Sequence, residues 1–532
     1  MKLSDLIAGL DVSIARGDPD AVRICDVTED SRTVMPGSLF VARPGQKSDG
    51  RAFVGQACDQ GAVAIVSDDP RVCEGGICEP GAHHRDLGKD VAVVVTPNIP
   101  RVSALMAERF YGNPSSKLAM VGVTGTNGKT TVVHLIHQIA NASSLRCGMI
   151  GTVLIDDGRE IAPATMTTPP AVEVSRTLAT MVEFGCSACA METSSHALDQ
   201  GRVAAIRFRV GVFTNLTGDH LDYHKTMERY ADAKAALFES IPPDGFAILN
   251  AEDPAHERMR RDCGAHLLRC VARQLTESER ASATWCGVTI TARSTKGMEL
   301  AIEGPWGCIR ATCPLIGDHN AMNALQAVAV CHVLGLPKEA IASGLSGSTT
   351  PRGRLEPVVL PGLTRAQRAA LPTVLVDFAH TDDGLRNALR AVRSVLPAPV
   401  DGEQAPRLWV VFGAGGNKDR AKRPRMGRIA AELADIVVLT SDNPRSERPS
   451  DIINEIIAGI DHPEARSRVV VHADRGEAIE HAIRHAAPLD IVLIAGKGHE
   501  TDQELPDGRG GTYRVPFDDS VIAATCLTAR LA

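Results

Sequence analysis

The stretch VGVTGTNGKTT, residues 121–131, constrains the fold of this chain more than any other feature of its sequence. An apolar run precedes a glycine-rich turn, and the segment KTTVVHLIHQIA that follows has a helical pattern. Glycines let backbone N–H groups approach a phosphate, a helix N-terminus favours negative charge, and a lysine adds a point charge. The sequence therefore predicts a strand, a phosphate-binding turn and a helix, which together form a unit of an α/β domain. We call residues 124–131 the phosphate turn.

The phosphate turn is predicted to bind a nucleotide. The residues expected to hold it are Gly125, Thr126, Asn127, Gly128, Lys129, Thr130 and Thr131. Lys129 would neutralise phosphate charge, and the hydroxyl of Thr130 would ligate Mg²⁺. A strict Walker pattern has glycine at position 123, where this chain has valine. Such a turn does not define a reaction, although a GTPase is disfavoured because GNKDR lacks the spacer of an N-K-x-D motif.

Short apolar runs alternate with helical patterns over most of the 532 residues, which predicts α/β domains with mainly parallel sheets. A chain of this length is expected to form about three domains. We place them at residues 1–115, 116–348 and 349–532, with a Gly/Ser/Thr-rich linker at 343–354. Four strand candidates in the third domain end in polar or glycine-rich turns: TVLVDFAH, RLWVVFGAGG, DIVVLTSDNP and DIVLIAGKGHE. The carboxyl edge of an open parallel sheet is where ligands bind.

Charge and composition exclude several classes of partner. A net charge of −7 lacks the basic surface that nucleic-acid-binding proteins show. No run of about 18 apolar residues predicts a membrane span, and the N-terminus is too acidic for a secretory signal, so we expect a cytoplasmic protein. We also expect a monomer. The CxxC formed by Cys186 and Cys189 lies in an apolar run, which favours buried packing; a redox or zinc site would need a second ligand pair.

Acidic and histidine residues collect in two segments, METSSHALDQ and TGDHLDYHKTMERYADAK. Glu192 follows an apolar run, and His220 and His224 have helical ligand spacing. Alone, such a cluster is typical of a solvated surface. Beside a phosphate turn it favours Mg²⁺, because phosphoryl transfer needs neutralisation of charge. Lys234 lies in the helical pattern YADAKAALF, and taken by itself it would be interpreted as an ordinary surface lysine.

The stretch TSDNPRSERP, residues 440–449, ends a strand candidate with a turn signal. Pro444 keeps Asn443 out of helix, and Arg445 follows at once. Turns at strand ends often bind ligands, so Arg445 is a candidate binding residue.

The ordered motifs TGTNGKTT, METSSHAL, DHLDYH, GDHN, DFAHT, DNPR and AGKGHE resemble those of the Mur ligases over nearly the whole chain. The resemblance implies an N-terminal domain for a UDP group, a central P-loop ATPase domain and a C-terminal Rossmann-like domain for an amino acid. It also implies the reaction of the diaminopimelate-adding members, which act in peptidoglycan synthesis. ATP phosphorylates the D-glutamate side-chain carboxylate of UDP-N-acetylmuramoyl-L-alanyl-D-glutamate, and the amine of meso-2,6-diaminopimelate attacks the acyl phosphate.

The resemblance further implies roles for single residues. The UDP part would be held by Ser31, Gln46, Lys47 and Ser48. The muramoyl dipeptide would be held by Thr167, Thr168, Ser194, Gln200 and Arg202. ATP would meet Arg354, Asp377 and His380, with Asn320 and Asn323 on its adenine side. Mg²⁺ would be bound by Thr130, Glu192, His220 and a carbamoylated Lys234, and the catalytic set would be Lys129, Lys234, Arg354 and His220.

The amino-acid pocket implied by the resemblance comprises Lys418, Asp442, Asn443, Pro444, Arg445, Gly496 and Glu500. Diaminopimelate differs from lysine by a second carboxylate, which the planar fork of Arg445 matches with two hydrogen bonds. Relatives have an arginine where this chain has Lys418, which keeps the charge and loses the fork. Gly218 and Phe378 also depart from the family pattern, where arginine and tyrosine are usual.

Three other functions remain open from the sequence. The same scaffold could add L-lysine, which the DNPR motif disfavours. A folylpolyglutamate synthase-like ligase is disfavoured by the UDP-end motifs EDSR and LFVARPGQKSDG. A nucleotide-dependent switch or scaffold would not need DNPR and AGKGHE together.

Overall fold

The computed structural model describes residues 1–45, 49–74, 91–398 and 405–531. These residues form two compact units. The first comprises Met1–Lys129, Ala140–Leu268 and Val333–Leu336, and the second comprises Thr130–Ile139, Arg269–His332 and Pro337–Ala532. No helix among the described residues is both long and apolar enough to cross a membrane.

The first unit begins with a mainly parallel sheet. Its strands are β1 (Ser13–Arg16), β2 (Asp26–Thr28), β3 (Ser38–Val41), β4 (Ala64–Ser67) and β5 (Ala92–Val95), and its helices are α1 (Leu3–Ile7), α2 (Val54–Asp59) and α3 (Ile99–Phe110). The strand order is β1-β5-β4-β3-β2, in which β1 alone of these runs antiparallel to its neighbour. Strands β3 and β4 are buried along their whole length, as expected where both faces of a parallel sheet are covered.

A second sheet of the first unit carries the phosphate turn. Its strands are β6 (Ala119–Thr124), β7 (Cys147–Ile150), β8 (Leu154–Asp156), β9 (Ile161–Pro163), β10 (Ala188–Glu192), β11 (Phe208–Phe213) and β12 (Phe246–Asn250). The helices that follow these strands are α4 (Lys129–Ala142), whose residues Thr130–Ile139 belong to the second unit, α5 (Ala171–Glu183), α6 (Ser195–Asp199), α7 (Leu221–His224), α8 (Met227–Glu239) and α9 (His256–Arg260). Strand β6 lies between β10 and β11 and is parallel to both. The predicted strand and helix around the phosphate turn are confirmed as β6 and α4.

The chain passes into the second unit along β13 (His266–Val271). An antiparallel meander follows, formed by β14 (Trp285–Ser294), β15 (Gly297–Gly304) and β16 (Gly307–Cys313). The helices here are α10 (Glu277–Ala281), α11 (Asp318–Val333) and α12 (Lys338–Ser346).

The remainder of the second unit is built on a sheet with strand order β17-β18-β22-β19-β20-β21. Its strands are β17 (Glu356–Pro357), β18 (Thr373–Asp377), β19 (Leu408–Phe412), β20 (Ile436–Leu439), β21 (Val469–Val471) and β22 (Ile491–Ala495), and a separate hairpin is formed by β23 (Asp502–Pro506) and β24 (Thr512–Pro516). Its helices are α13 (Arg365–Ala369), α14 (Asp382–Arg393), α15 (Lys422–Leu433), α16 (Pro449–Ile457), α17 (Pro463–Arg466), α18 (Arg475–His485) and α19 (Asp519–Leu531).

All four strands predicted for the third domain are confirmed, as β18, β19, β20 and β22. They run parallel, and Asp377 and Phe412 are both in register with Ala495, so their carboxyl ends share one edge of the sheet.

The predicted linker at 343–354 is partly wrong, because α12 continues to Ser346. A Cβ on Gly344 would lie 3.0 Å from the Cα of Ile139, so this glycine allows close helix packing. Composition alone does not distinguish such a glycine from one that confers flexibility.

Candidate active site

The phosphate turn depends on two glycines. Gly125 has φ +149°, and a Cβ there would lie 1.9 Å from Oγ1 of Thr214. Gly128 has φ +87° and caps the N-terminus of α4. Only glycine adopts both conformations without strain, so the backbone of this turn is fixed by its sequence.

A segment after β11 holds the phosphate turn in place. The side chain of Asn215 accepts a hydrogen bond from the N–H of Asn127 at 2.9 Å, and its carbonyl accepts one from the N–H of Thr126 at 2.9 Å. Thr214 Oγ1 donates to the carbonyl of Asn127 at 2.6 Å. Asn215 and Thr214 could not be identified from a motif, because neither belongs to a nucleotide-binding pattern. Both lie just before TGDHLDYH, the segment singled out for its acidic and histidine residues, and this proximity could have pointed to them.

Two lysine amines meet at one carbonyl of the phosphate turn. Lys129 Nζ donates to the carbonyls of Gly125 and Thr126, at 2.9 and 2.8 Å. Lys234 Nζ donates to the carbonyl of Gly125 at 2.8 Å and lies 4.4 Å from the centre of the Tyr230 ring. Lys234 is buried, and burial followed by the charge of Lys129 holds the pKa of its amine well below the ordinary lysine value. The surface-lysine alternative for Lys234 is therefore wrong.

Glu192 ends β10, whose register places it opposite Val123 of β6, just before the phosphate turn. Its carboxylate is buried and accepts hydrogen bonds from the backbone N–H and the hydroxyl of Thr152, at 2.7 and 3.0 Å. These bonds hold a negatively charged group beside the phosphate turn without a basic partner among them. A buried carboxylate so placed is suited to a cation.

His220 belongs to an aromatic cluster next to Lys234. Its ring centre lies 4.8 Å from that of His196 and 6.3 Å from that of Tyr230. Burial lowers the pKa of His220 to about 4, which favours a neutral imidazole. His220 caps α7 with φ 54°, and buried His224 contacts Ser195 Oγ at 3.0 Å, so the two do not project from one helix face as their spacing predicted. No group of three His, Cys, Asp or Glu side chains that could hold a metal occurs within the described residues.

The residues predicted to bind the muramoyl dipeptide lie together. Thr168 Oγ1 donates to the carbonyl of Glu192 at 2.8 Å and accepts from the N–H of Ser194 at 3.1 Å. Arg202 donates to the carbonyl of Thr168 at 2.8 Å and to the side-chain oxygen of Gln200 at 2.7 Å. Thr167 Oγ1 lies 3.1 Å from Oγ1 of Thr152, the residue that also contacts Glu192.

Arg43 is a further basic residue of this region that the sequence analysis quoted without assigning. It donates to the carbonyl of Gln200 at 2.5 Å and lies 3.9 Å from Glu29. Burial, and then the charge of Arg43, lower the pKa of Arg202. Two neighbouring guanidinium groups make this region attractive to an anion.

Ser31 is buried in a short 3₁₀ turn, Ser31–Thr33, and donates to the side-chain oxygen of Gln56 at 3.2 Å. The other residues predicted for the UDP part, Gln46, Lys47 and Ser48, lie outside the described residues. Cys186 and Cys189 are buried and unpaired, as predicted for packing residues.

In the second unit, Asp377 ends β18 and orders the loop around Arg354. Its carboxylate accepts from the N–H groups of Leu355 and Ala379, at 2.7 and 2.8 Å, and burial raises its pKa. The guanidinium of Arg354 lies 4.8 Å from the centre of the Phe378 ring, which also contacts His380 at 4.6 Å. Arg354 lies 3.4 Å from Oγ1 of Thr130, so the structure brings these two predicted ATP contacts together.

Asn320 and Asn323 are buried on α11. Asn320 donates to the carbonyl of Ile316 at 2.8 Å and accepts from Asn323 at 2.9 Å. The predicted adenine contacts are thus linked to each other in this structure.

The turn that follows β20, residues 442–447, is called the arginine turn here. Arg445 has φ 51°, a conformation that a non-glycine residue adopts at a cost of roughly 1–2 kcal/mol. Its Nη1 donates to the carbonyl of Gly416 at 2.7 Å, and its Nε lies 3.2 Å from the carboxylate of Glu504. Neither Asp442 nor Glu447, the acidic residues of the same turn, forms an ion pair with Arg445 in the described structure. A strained backbone conformation such as that of Arg445 is common at functional sites.

Two side chains orient Glu500, a predicted residue of the amino-acid pocket. Asn443 and the buried Lys497 both donate to Glu500 Oε2, at 2.7 and 2.9 Å. Lys497 belongs to AGKGHE but was not among the predicted site residues. Gly496 has φ +117°, and a Cβ there would lie 2.3 Å from Asp442 Oδ2. The arginine turn and the β22 end can therefore approach only because position 496 is glycine.

Lys418 lies beside the arginine turn in an exposed loop. A Cβ built on Gly415 would lie 3.2 Å from Arg445 Nη1 and 3.8 Å from Lys418 Cγ, so the two side chains border the same glycine. Glu447 stabilises this loop by accepting from the N–H of Asn417 at 2.5 Å. Hydrogen bonds from the buried Arg423 hold the pKa of Glu447 at about 2.

A buried ion pair lies beneath the arginine turn. Arg475 donates two hydrogen bonds to Asp519, both 2.7 Å long, and neither side chain is exposed. It also donates to the carbonyls of Ser441 and Ala495, the residues that precede Asp442 and Gly496, at 3.3 and 3.1 Å. One arginine thus connects two of the loops that carry predicted pocket residues. Its sequence context contains no motif that would have indicated this role.

Family models match this chain in three successive segments. The model described as "Mur ligase family, catalytic domain" matches residues 23–111, "Mur ligase middle domain" matches residues 123–331, and "Mur ligase, glutamate ligase domain" matches residues 363–498. The segments follow the order of the motifs, and they correspond to the three-domain α/β fold of ATP-dependent Mur ligases. The chain belongs to the Mur ligase family.

Relatives that match this chain over nearly their full length include Mur ligases named for 2,6-diaminopimelate. The UDP-N-acetylmuramoyl-L-alanyl-D-glutamate–2,6-diaminopimelate ligase of Chlorobaculum tepidum is 41% identical over 507 residues, covering 95% of this chain and 94% of that protein. The ligase of the same name from Gloeobacter violaceus is 41% identical over 532 residues, covering 100% and 99%. A solved structure of a ligase of this name has 28% identity and a TM-score of 0.65, covering 100% of this chain and 99% of that one.

Proposed function

We propose that this chain is the ATP-dependent ligase that joins meso-2,6-diaminopimelate to the D-glutamate side-chain carboxylate of UDP-N-acetylmuramoyl-L-alanyl-D-glutamate in peptidoglycan synthesis. The observation that carries the proposal is full-length identity of about two residues in five to relatives with that name. The geometry supports it through a phosphate turn, a basic region around Arg202, and an amino-acid pocket at the arginine turn. We further propose a cytoplasmic monomer with domains at residues 1–115, 116–348 and 349–532.

The reaction requires a carboxylate to become an acyl donor. ATP would transfer its γ-phosphoryl group to the substrate carboxylate, and the neutral amine of diaminopimelate would then displace phosphate from the acyl phosphate. The turn residues Gly125 to Thr131 would hold the phosphates, and Lys129 would exchange its carbonyl contacts for phosphate oxygens. Catalysis of this kind consists mainly of positioning and charge stabilisation. Arg354, whose Nη2 lies 3.4 Å from Thr130 Oγ1, would act on the same phosphates.

Mg²⁺ would be held by Thr130, Glu192, His220 and Lys234. Glu192 fits a hard cation because its buried carboxylate has no basic partner that would compete with the ion. Within the described residues its hydrogen bonds come from Thr152 alone. Lys234 fits only as a carbamate, because an ammonium group would repel the ion. Burial and the neighbouring charge of Lys129 disfavour the charged form of the Lys234 amine, and a neutral amine can add CO₂. Bound Mg²⁺ would neutralise charge on the phosphoryl group.

The amino-acid pocket would bind the far end of diaminopimelate as a zwitterion. The carboxylate would lie on the fork of Arg445, with Lys418 adding charge. The ammonium group would lie on Glu500, whose Oε2 is already oriented by Asn443 and Lys497. Asp442, Pro444 and Gly496 would shape the pocket. Lysine offers the ammonium group without the carboxylate.

The UDP end and the muramoyl dipeptide would bind in the first unit. Ser31, with Gln46, Lys47 and Ser48, would contact the UDP part. Thr167, Thr168, Ser194, Gln200 and Arg202 would contact the dipeptide. In the second unit Asn320 and Asn323 would meet the adenine, and Asp377 and His380 would support Arg354.

The proposal is tested by ATP-dependent phosphate release with UDP-N-acetylmuramoyl-L-alanyl-D-glutamate, supplying meso-diaminopimelate or L-lysine in separate reactions. We expect turnover with diaminopimelate and little with lysine. Turnover with lysine alone would refute the specificity, and release with neither amino acid would refute the ligase. A folate substrate that supports turnover, while the UDP substrate does not, would establish the folylpolyglutamate synthase-like alternative.

A further inference from the structure

Glu504 contacts the arginine turn through both its backbone and its side chain. Its carbonyl accepts from the N–H of Arg445 at 3.1 Å, and its Oε2 lies 3.2 Å from Arg445 Nε. On the paired strand β24, Thr512 donates to Glu504 Oε1 at 2.8 Å. The carboxylate is thus held from both sides. The Arg445 and Glu504 side chains are 27% and 24% exposed, so a soluble substrate can still reach the pair.

This pairing decides which guanidinium donors remain for a ligand. Nε faces Glu504, and one Nη1 hydrogen is used by the carbonyl of Gly416. Within the described residues nothing else accepts from this group, which leaves the second Nη1 hydrogen and both Nη2 hydrogens. These donors lie at the end of the fork, where a carboxylate can form two parallel hydrogen bonds.

The pairing also removes the net charge of the arginine. Arg445 and Glu504 together are neutral, so they attract a distant carboxylate less than a free arginine would. Lys418 borders the same glycine as Arg445, and no carboxylate in the described part of the chain forms an ion pair with it. Lys418 therefore supplies the net positive charge of this group of three side chains.

We propose that Glu504 tunes amino-acid specificity: it occupies the Nε side of Arg445, leaves the end of the fork to the second carboxylate, and lowers the net charge that attracts this carboxylate, so that Lys418 supplies the attraction. The inference rests on the proposed function. A substrate without the second carboxylate is usually penalised because it leaves the charged group of the pocket unpaired. Arg445 already has Glu504 as a partner, so L-lysine does not leave it unpaired. Glu504 thus weakens selection against L-lysine, and removing its charge strengthens selection for diaminopimelate.

The variant Glu504→Gln tests the inference because it keeps a polar side chain of nearly the same shape beside Nε and removes the negative charge. We expect the KM for meso-diaminopimelate to fall about fivefold with kcat unchanged, the size of effect expected for partly exposed charges. Glu504→Ala, which also removes the polar group beside Nε, should have a higher KM than Glu504→Gln. Glu504→Asp keeps the charge and should not lower the KM. Glu464→Gln, the same change at an exposed position on α17, is the matched control for net charge.

A double-mutant cycle with Lys418 completes the test. Lys418→Met should raise the KM for diaminopimelate about fivefold in the parent and by less in Glu504→Gln, where the charge of Arg445 is released. An unchanged KM in Glu504→Gln, or an equal effect of Lys418→Met in both backgrounds, would overturn the inference. Such results leave turnover by the parent intact, so they are distinct from failure of the proposed function.

Discussion

The phosphate turn and the arginine turn both follow buried parallel strands, yet they are built in different ways. The phosphate turn is one continuous stretch whose shape is set by Gly125 and Gly128, with Thr214 and Asn215 holding it in place. The arginine turn receives its shape from separate loops, including those after β19 and β22 and the hairpin β23–β24. The side chains of its predicted pocket come from segments that lie far apart along the chain.

This difference predicts how each turn tolerates change. A site built from backbone groups is expected to be insensitive to most side-chain substitutions. A pocket assembled from side chains is expected to respond to the exchange of one charged group for another. We therefore expect side-chain substitutions to change amino-acid recognition more than phosphate recognition.

The largest effect is expected at Lys234, whose amine contacts the phosphate turn. Lys234→Ala should lower kcat by about 10²- to 10³-fold, the loss typical when one charge-stabilising group is removed from an active site. Added short carboxylates should restore part of the rate, since they can replace the carbamate oxygens. Phosphate release measured with and without acetate tests this, and full activity without acetate would contradict the role.

A smaller effect is expected when the backbone of the phosphate turn is crowded. Gly125→Ala places a Cβ against Thr214 Oγ1 in a strained conformation, so nucleotide affinity should fall about tenfold, equivalent to about 1.4 kcal/mol of the strain expected from overpacking. Calorimetric titration with ADP measures this affinity. Gly55→Ala is the matched control, because a Cβ on Gly55 meets nothing within 4 Å. Equal ADP affinity in the parent and Gly125→Ala would show that the turn is less rigid than its geometry indicates.

The smallest effect is expected at Glu447, which supports the loop carrying Lys418. Glu447→Gln should lower the melting temperature at pH 7 by about 2 °C. The folded-state pKa of Glu447 is lowered to about 2 from an ordinary value of 4.5, so its contribution is present above pH 4.5 and is lost as the pH falls through about 2. Thermal melts of the parent and variant should therefore converge as the pH falls across that interval. Glu464→Gln should show no such convergence, and a pH-independent difference for Glu447→Gln would contradict the assignment.

Much of the fold could be predicted from local sequence. The four strands of the second unit are short buried runs ending in glycine-rich or polar turns, and parallel pairing brings those ends to one edge. The helix α4 follows from its apolar spacing and its glycine cap. The predicted linker failed at Gly344, because a glycine needed for close packing against Ile139 has the same letter as one in a flexible loop.

The residues of the candidate site differ in whether the sequence alone could predict them. Residues within a motif, such as Lys129 and Arg445, could be found from sequence. Asn215, Arg43, Arg475 and Glu504 could not, because each acts through a contact formed only when distant segments fold together. The hairpin that carries Glu504 was not among the predicted strands. A charge that neutralises another charge has no sequence signature of its own.

The most direct test of the central claim is the variant Arg445→Ala, assayed both for diaminopimelate turnover and for ADP binding. We expect kcat/KM for meso-diaminopimelate to fall roughly 10- to 100-fold, the contribution of one or two charge-assisted hydrogen bonds, while the Kd for ADP stays unchanged. Arg445→Lys, which keeps the charge without the fork, should fall between the parent and Arg445→Ala. An unchanged kcat/KM in Arg445→Ala would contradict the claim that the arginine turn reads the second carboxylate.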